Sequence, residues 1–214
     1  MKEISIGDSL IETIGESGGY GFLAGIAEVG LDSCLQAGIL KDVPIFGSLS
    51  KIVGGYIGVR EYLLFKKIIR FLTAVRTIPA GEIKNFMCKL EESKKEKKKF
   101  GEMLFLMLDR FDDVDKAEYA ARAFRALASS QIQMDMFLRF LVVIDGGFLP
   151  DLIILQYHEK PEKFQETTII SLANSGLLAI PSFASYDSLV GYRITELGRQ
   201  FIQHVLYRTN EGGA

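Results

Sequence analysis

Between Gly15 and Gly58 the chain reads GESGGYGFLAGIAEVGLDSCLQAGILKDVPIFGSLSKIVGGYIG, apolar residues interleaved with glycine. Residues 1–59 hold 12 of the 21 glycines. A glycine inside a helix costs about 1 kcal/mol relative to alanine, so this density is expensive unless something needs it. Close helix–helix approach needs it, and so does packing in a bilayer, where small residues are favoured at contacts. Gly21 and Gly25 stand in GxxxG spacing, and Gly54 and Gly58 repeat it. Two readings follow. The segment forms two short, tightly packed helices of a core, or it inserts into a membrane as a hairpin around Lys41-Asp42-Val43-Pro44. Glu28, Asp32 and Lys51 oppose free insertion, because each costs a few kcal/mol at the bilayer centre.

The helix that follows sharpens the second reading. In REYLLFKKIIRFLTAVR, Arg60–Arg76, the residues Leu64, Phe65, Ile68, Ile69, Phe71, Leu72 and Val75 fall within one arc of about 160°. Arg60, Lys66, Lys67 and Arg70 fall opposite. Such basic amphipathic helices lie on anionic membranes or dock into partner grooves, and they also serve as core helices with a solvated face. Leu64, Phe65, Lys66, Lys67, Ile68, Arg70 and Leu72 are therefore the candidate membrane or partner face. No uninterrupted apolar run reaches 18 residues, so a single-pass helix is not expected. Asp8, Glu12 and Glu16 break up the start, which does not read as an export signal.

Charge is distributed unevenly. Residues 1–59 carry a net -4, residues 60–150 a net +4 and residues 151–214 a net -2. These shifts suggest a glycine-rich segment over 1–59, a helical domain over 60–147 and a closing module over 148–214. The total of -2 opposes bulk-charge binding of nucleic acid. Cys34 and Cys88 have neither CxxC nor Cys/His spacing, which excludes a zinc module and a disulfide scaffold and suits the reducing cytoplasm.

The middle reads as successive helices: Pro79–Leu90, Phe100–Phe111, Ala117–Ala128 and Met134–Ile144. EESKKEKKK, Glu91–Lys99, reads as a solvated turn and helix start. Asp109, Asp112, Asp113 and Asp115 lack the glycine and terminal glutamate of an EF-hand, so helix capping is their expected role, with Asp115 as N-cap. Helices over Leu149–Tyr157 and Pro161–Ser175 follow, the latter closed by Gly176. Leu177–Ile180 and Tyr192–Ile194 read as short strands flanking a polar wing, and Thr195 opens a last helix.

That closing pattern, LANSGLL … YRITELGRQFI, resembles the end of winged-helix proteins. Leu172, Gly176-Leu177-Leu178, Tyr192–Arg199 and Phe201-Ile202 also resemble the abortive-infection alpha family of bacterial anti-phage proteins. The glycine-rich start followed by a basic helix is similar to uncharacterised bacterial proteins of this size. The resemblance implies a winged-helix fold and a role in phage defence, and it supplies no catalytic residues. Reading DNA would take bases on the recognition helix. ETTIISLANS, Glu166–Ser175, has none, and only Asn174 could read a base edge. Asn174, Arg193 and Arg199 are the candidate partner or nucleic-acid contacts, with protein contact the better expectation.

Enzyme signatures are thin. His158 and His204 lie apart, no Ser or Cys nucleophile sits beside them, and Gly15–Gly19 is neither a P-loop nor a dinucleotide fingerprint. The expected protein is mostly α: a multi-helix N-terminal and middle region with a small C-terminal winged-helix (α+β) module. It is expected to be non-enzymatic, to use no cofactor or metal, and to act in defence through a protein partner, an anionic membrane contacted by residues 20–76, or self-association. Cytoplasmic placement with peripheral inner-membrane contact is the expected localisation. A cytosolic protein-binding or regulatory module is the alternative, and nucleic-acid binding is disfavoured.

Overall fold

A computed structural model describes residues 5–16, 39–53, 58–157, 164–180 and 192–207, with Leu23, Ile26 and Ser33. Gly21, Gly25, Cys34, Gly54, His158, the wing over 182–191 and Arg208 lie outside the described residues. The described chain is mostly helical with one small two-stranded antiparallel sheet, and it forms two compact units, Met1–Gln131 and Ile132–Ala214.

In the first unit, serine side chains start two of the helices. Ser5 Oγ accepts from Asp8 N at 3.2 Å to cap α1, Ile6–Gly15. Ser93 Oγ accepts from Glu96 N at 3.3 Å to cap α5, Lys94–Arg110, which therefore begins inside the charged run. Between them lie a short 3₁₀ turn, Ile39–Asp42, and helices α2, Pro44–Val53, α3, Val59–Val75, and α4, Ala80–Glu91. Helix α6, Lys116–Ala128, completes the unit.

The glycine argument holds at a position where the sequence pattern did not point. Helices α1 and α5 cross at Gly7 and Gly101: a Cβ on Gly7 would sit 2.7 Å from Gly101 C, and one on Gly101 would strike the Gly7 backbone. Helices α1 and α2 are joined by hydroxyls instead. Ser9 and Ser48 Oγ lie 2.6 Å apart. Thr13 Oγ1 donates to Ser9 O at 2.8 Å and accepts from Ile45 N at 3.2 Å, giving a partner to an amide in the first turn of α2 that has none within its helix.

Four phenylalanines centre the first unit. Phe124 of α6 meets Phe86 edge-on at 5.3 Å and Phe71 and Phe100 at 6.0 and 6.3 Å. Phe46 meets Phe65 edge-on at 5.4 Å. Helix α6 is closed by Ser130, whose φ of 57° is left-handed. Ser130 N donates to Leu127 O at 3.0 Å and Gln131 N to Ala126 O at 2.9 Å, the double bond of a Schellman turn. Glycine takes this conformation without the steric cost serine carries. Ser130→Gly is expected to stabilise the first unit by about 0.5–1 kcal/mol, read as slower native-state hydrogen exchange in α6. Unchanged or faster exchange would show that the Lys89 Nζ–Ser130 Oγ contact at 3.4 Å outweighs the backbone term.

The second unit is built on α7, Met134–Gly146, α8, Leu149–Ile154, continued by a 3₁₀ turn at Leu155–Tyr157, and α9, Glu166–Asn174. Strands β1, Leu178–Ala179, and β2, Arg193–Ile194, pair Leu178 with Ile194. Helix α10, Glu196–Phe201, runs on into a π turn, Ile202–Leu206. As expected, a glycine closes α9. Gly176 has φ 75°, its N donates to Ala173 O, and Leu177 N donates to Leu172 O, both at 2.9 Å. Thr195 ties this turn to α10: its Oγ1 donates to Gly176 O at 2.7 Å and accepts from Gly198 N at 3.0 Å. A Cβ on Gly198 would lie 3.1 Å from Leu177 C, so the helix can sit this close only without one. The core below holds Phe137, Phe140, Ile144, Leu155, Leu172, Leu177, Phe201 and Val205, with Phe140 and Phe201 edge-on at 5.5 Å.

Candidate interaction surface

The basic amphipathic helix is present as α3, and its apolar side is already used. Leu64, Phe65, Ile68 and Leu72 are buried in the first unit, together with Phe71 and Val75. Three of the four cations on its other side meet acidic residues or carbonyls of α5 and α6. Arg60 pairs with Asp109 at 2.8 Å, and Lys67 Nζ donates to Asp109 O at 2.8 Å. Arg70 pairs with Glu118 at 2.7 Å and Asp115 at 3.2 Å. Lys66 lies 4.8 Å above the Tyr62 ring. Lys67 is itself buried, and desolvation lowers its pKa against the pull of Asp109 and Asp112. Membrane contact by this apolar side therefore requires the first unit to open.

The two central lysines should respond differently to substitution. Lys67→Glu sets a buried carboxylate against the Asp109 carbonyl and is expected to destabilise the first unit by about 3 kcal/mol. Lys66→Glu, on the exposed side, should stay within about 0.5 kcal/mol. Urea unfolding followed by far-ultraviolet circular dichroism compares them, since the chain has no tryptophan. Equal effects would mean that Lys67 is solvated.

The acidic cluster before α6 forms ion pairs rather than the expected caps. Asp112 pairs with buried Lys116 at 2.7 Å, and that hydrogen bond holds the Asp112 carboxyl below the ordinary range. Asp115 occupies the N-cap position in helical conformation with no side-chain cap bond, because its carboxylate faces Arg70. Asp113 Oδ1 instead accepts from Asp115 N at 2.8 Å. Among the described residues no His, Cys, Asp and Glu side chains group as a metal site, and no helix is long and apolar enough to cross a membrane. A cleft of about 690 Å³ between α1, α4 and α5 places Asp8, Glu12 and Glu91 beside Lys94, Lys97 and Lys98. The charges of its described lining residues balance, and Lys97 already pairs with Glu91 at 2.9 Å.

In the second unit the three predicted contact residues separate. Arg193 is exposed on β2. Arg199 is held by Glu196 through two bonds, at 2.7 and 3.0 Å, and donates to Ile194 O at 3.3 Å. Asn174 lines an open groove of about 610 Å³ between α7 and α9, with Val142, Val143, Gly146, Thr167, Ile170, Ser171 and Ser175. None of these lining side chains is charged. Asp151 accepts from Thr168 Oγ1 at 2.9 Å, and burial lowers the His204 pKa.

The sequence marks α7 only as one of the successive helices of the middle region. Its sequence, MDMFLRFLVVIDG, places apolar residues on the side that bears Asp135, Arg139 and Asp145 as well as on the core side, which marks a helix buried beyond one stripe or one that meets a partner. That was the available signal. Phe137, Phe140, Leu141, Val143 and Ile144 are buried, whereas Met134, Leu138 and Val142 stay exposed on the other side.

No protein-family model, curated protein or solved structure matches this chain.

Proposed function

We propose that the chain is a non-enzymatic protein-interaction subunit whose contact surface is the α7–α9 groove and the apolar stripe beside it. The carrying observation is an open groove with no charged side chain among its described lining residues, edged by Val142, 67% exposed, and Ile170, 42% exposed. Apolar side chains left open beside uncharged hydroxyls and an amide suit a protein surface better than phosphates or a polar metabolite. The hairpin with its flanking helices is read as a winged helix used for protein contact. Helix α9 brings no base to a nucleic acid, and the Arg199 guanidinium is held by Glu196. The likeness of residues 172–202 to the abortive-infection alpha family supports anti-phage defence as the setting. Action at a membrane through residues 20–76 would demand withdrawal of Leu64, Phe65, Ile68 and Leu72 from the core, and this reading does without it.

A photoactivatable residue in place of Val142, in the full chain and in its own cells, tests the proposal. A discrete adduct that disappears with Ile170→Asp is the expected result. The same probe at exposed Leu106 of the first unit is the control. Adducts no stronger from position 142 than from 106, or unaffected by Ile170→Asp, would overturn it.

A further inference from the structure

The exposed stripe on α7 has an internal regularity. Met134, Leu138 and Val142 are spaced four residues apart and are 37%, 39% and 67% exposed. They share one face of the helix. Asp135 and Arg139 stand beside the stripe, both exposed, and among the described residues neither is held in an ion pair. The uncharged groove opens at the Val142 end of the stripe, and the flexible thioether of Met134 projects at the other. One helix thus carries both an apolar knob and a hollow, about 12 Å apart along its axis.

We propose that the partner seated on this surface is a second copy of the same chain, through antiparallel pairing of two α7 helices about a two-fold axis at Leu138. The inference rests on the interaction reading above and names its partner. A two-fold interface is self-complementary: whatever residue i touches on the copy must touch residue i in return. With the axis at Leu138, Leu138 faces its own equivalent, and Met134 faces Val142 of the copy at the mouth of the groove. Both copies make that contact at once. The charges obey the same symmetry. Arg139 and the copy's Asp135 are offset by about 3 Å along the axis, within reach of a guanidinium, so two reciprocal ion pairs line one edge of the apolar seam. A heterologous partner would need none of this symmetry. A seam of one helix per copy belongs to the small interfaces, below about 1,200 Å² in total, so the dimer is reversible and concentration-dependent.

Sedimentation velocity of the purified full chain across a concentration series is the test, with circular dichroism checking that each variant is folded. The wild-type chain should pass from monomer to dimer. Leu138→Asp should lower the association constant by about a hundredfold or more. The exposed charge pair gives a second reading that does not depend on replacing an apolar side chain. Asp135→Arg and Arg139→Asp should each weaken the dimer, and the double reversal should restore it. A chain that stays monomeric throughout while Val142 still gives an Ile170-dependent adduct to a different protein overturns the second copy and leaves the interaction reading standing. A dimer indifferent to Leu138→Asp and to the charge reversals overturns this interface. An adduct from Val142 at twice the mass of the chain supports it.

Discussion

Gly101→Val is expected to cost the first unit about 3 kcal/mol, because the added side chain meets backbone rather than a side chain that can turn away. The neighbour in question is the main chain of α1 at Gly7, fixed in its own helix. The sign for alanine is the more telling measurement. In an unobstructed helix, alanine is better than glycine by about 1 kcal/mol. Gly81→Ala in α4, where a Cβ would meet nothing within 4 Å, should therefore stabilise, while Gly101→Ala should destabilise. Native-state hydrogen exchange across α5 reads both in the full chain. A stabilising Gly101→Ala would show that α1 and α5 do not pass this closely.

The largest loss is expected from Phe124→Ala. That ring touches three others from three different helices, and removing it deletes the shared centre of the cluster. Emptying such a site costs about 4 kcal/mol, the sum of lost burial and the cavity left behind. Phe148→Ala, at a 64%-exposed ring in the second unit, should be close to neutral. A small effect at Phe124 would mean that the surrounding helices collapse into the space.

Helical periodicity made most of the fold legible. The helices over 59–75, 80–91, 116–128 and 134–146 lie where apolar spacing put them, and the turn at Gly176 follows from Asn-Ser-Gly after an apolar run. Tertiary detail was harder to read. Gly7 and Gly101 look like ordinary glycines until the two helices are superposed, since neither neighbourhood encodes the other. The role of Asp115 was misread because a carboxylate before a helix caps by default, and nothing local reveals an arginine arriving from α3. The interaction stripe was hidden for a different reason. Burial and partner contact select the same apolar side chains, so one helix can serve both, and only the exposure of Met134, Leu138 and Val142 separates the two sets.

The crossing of α1 and α5 also has a kinetic side. Gly7 and Gly101 are separated by most of the first unit, whereas α3, α4, α5 and α6 follow one another closely along the chain. Long-range contacts must meet a loop-closure cost before they return any stabilisation, so they tend to form after local ones. Helix α1 should accordingly join a nucleus already assembled around Phe124. Substitutions at Gly7 and Ser9 should then speed unfolding and leave the folding rate nearly untouched, with φ-values near zero, while substitutions in α6 slow folding. High φ-values at Gly7 would place α1 in the nucleus instead. If α1 is the last element to arrive, it is also the first to detach, and the outermost reversible opening of this unit is the release of a single helix from a glycine seat.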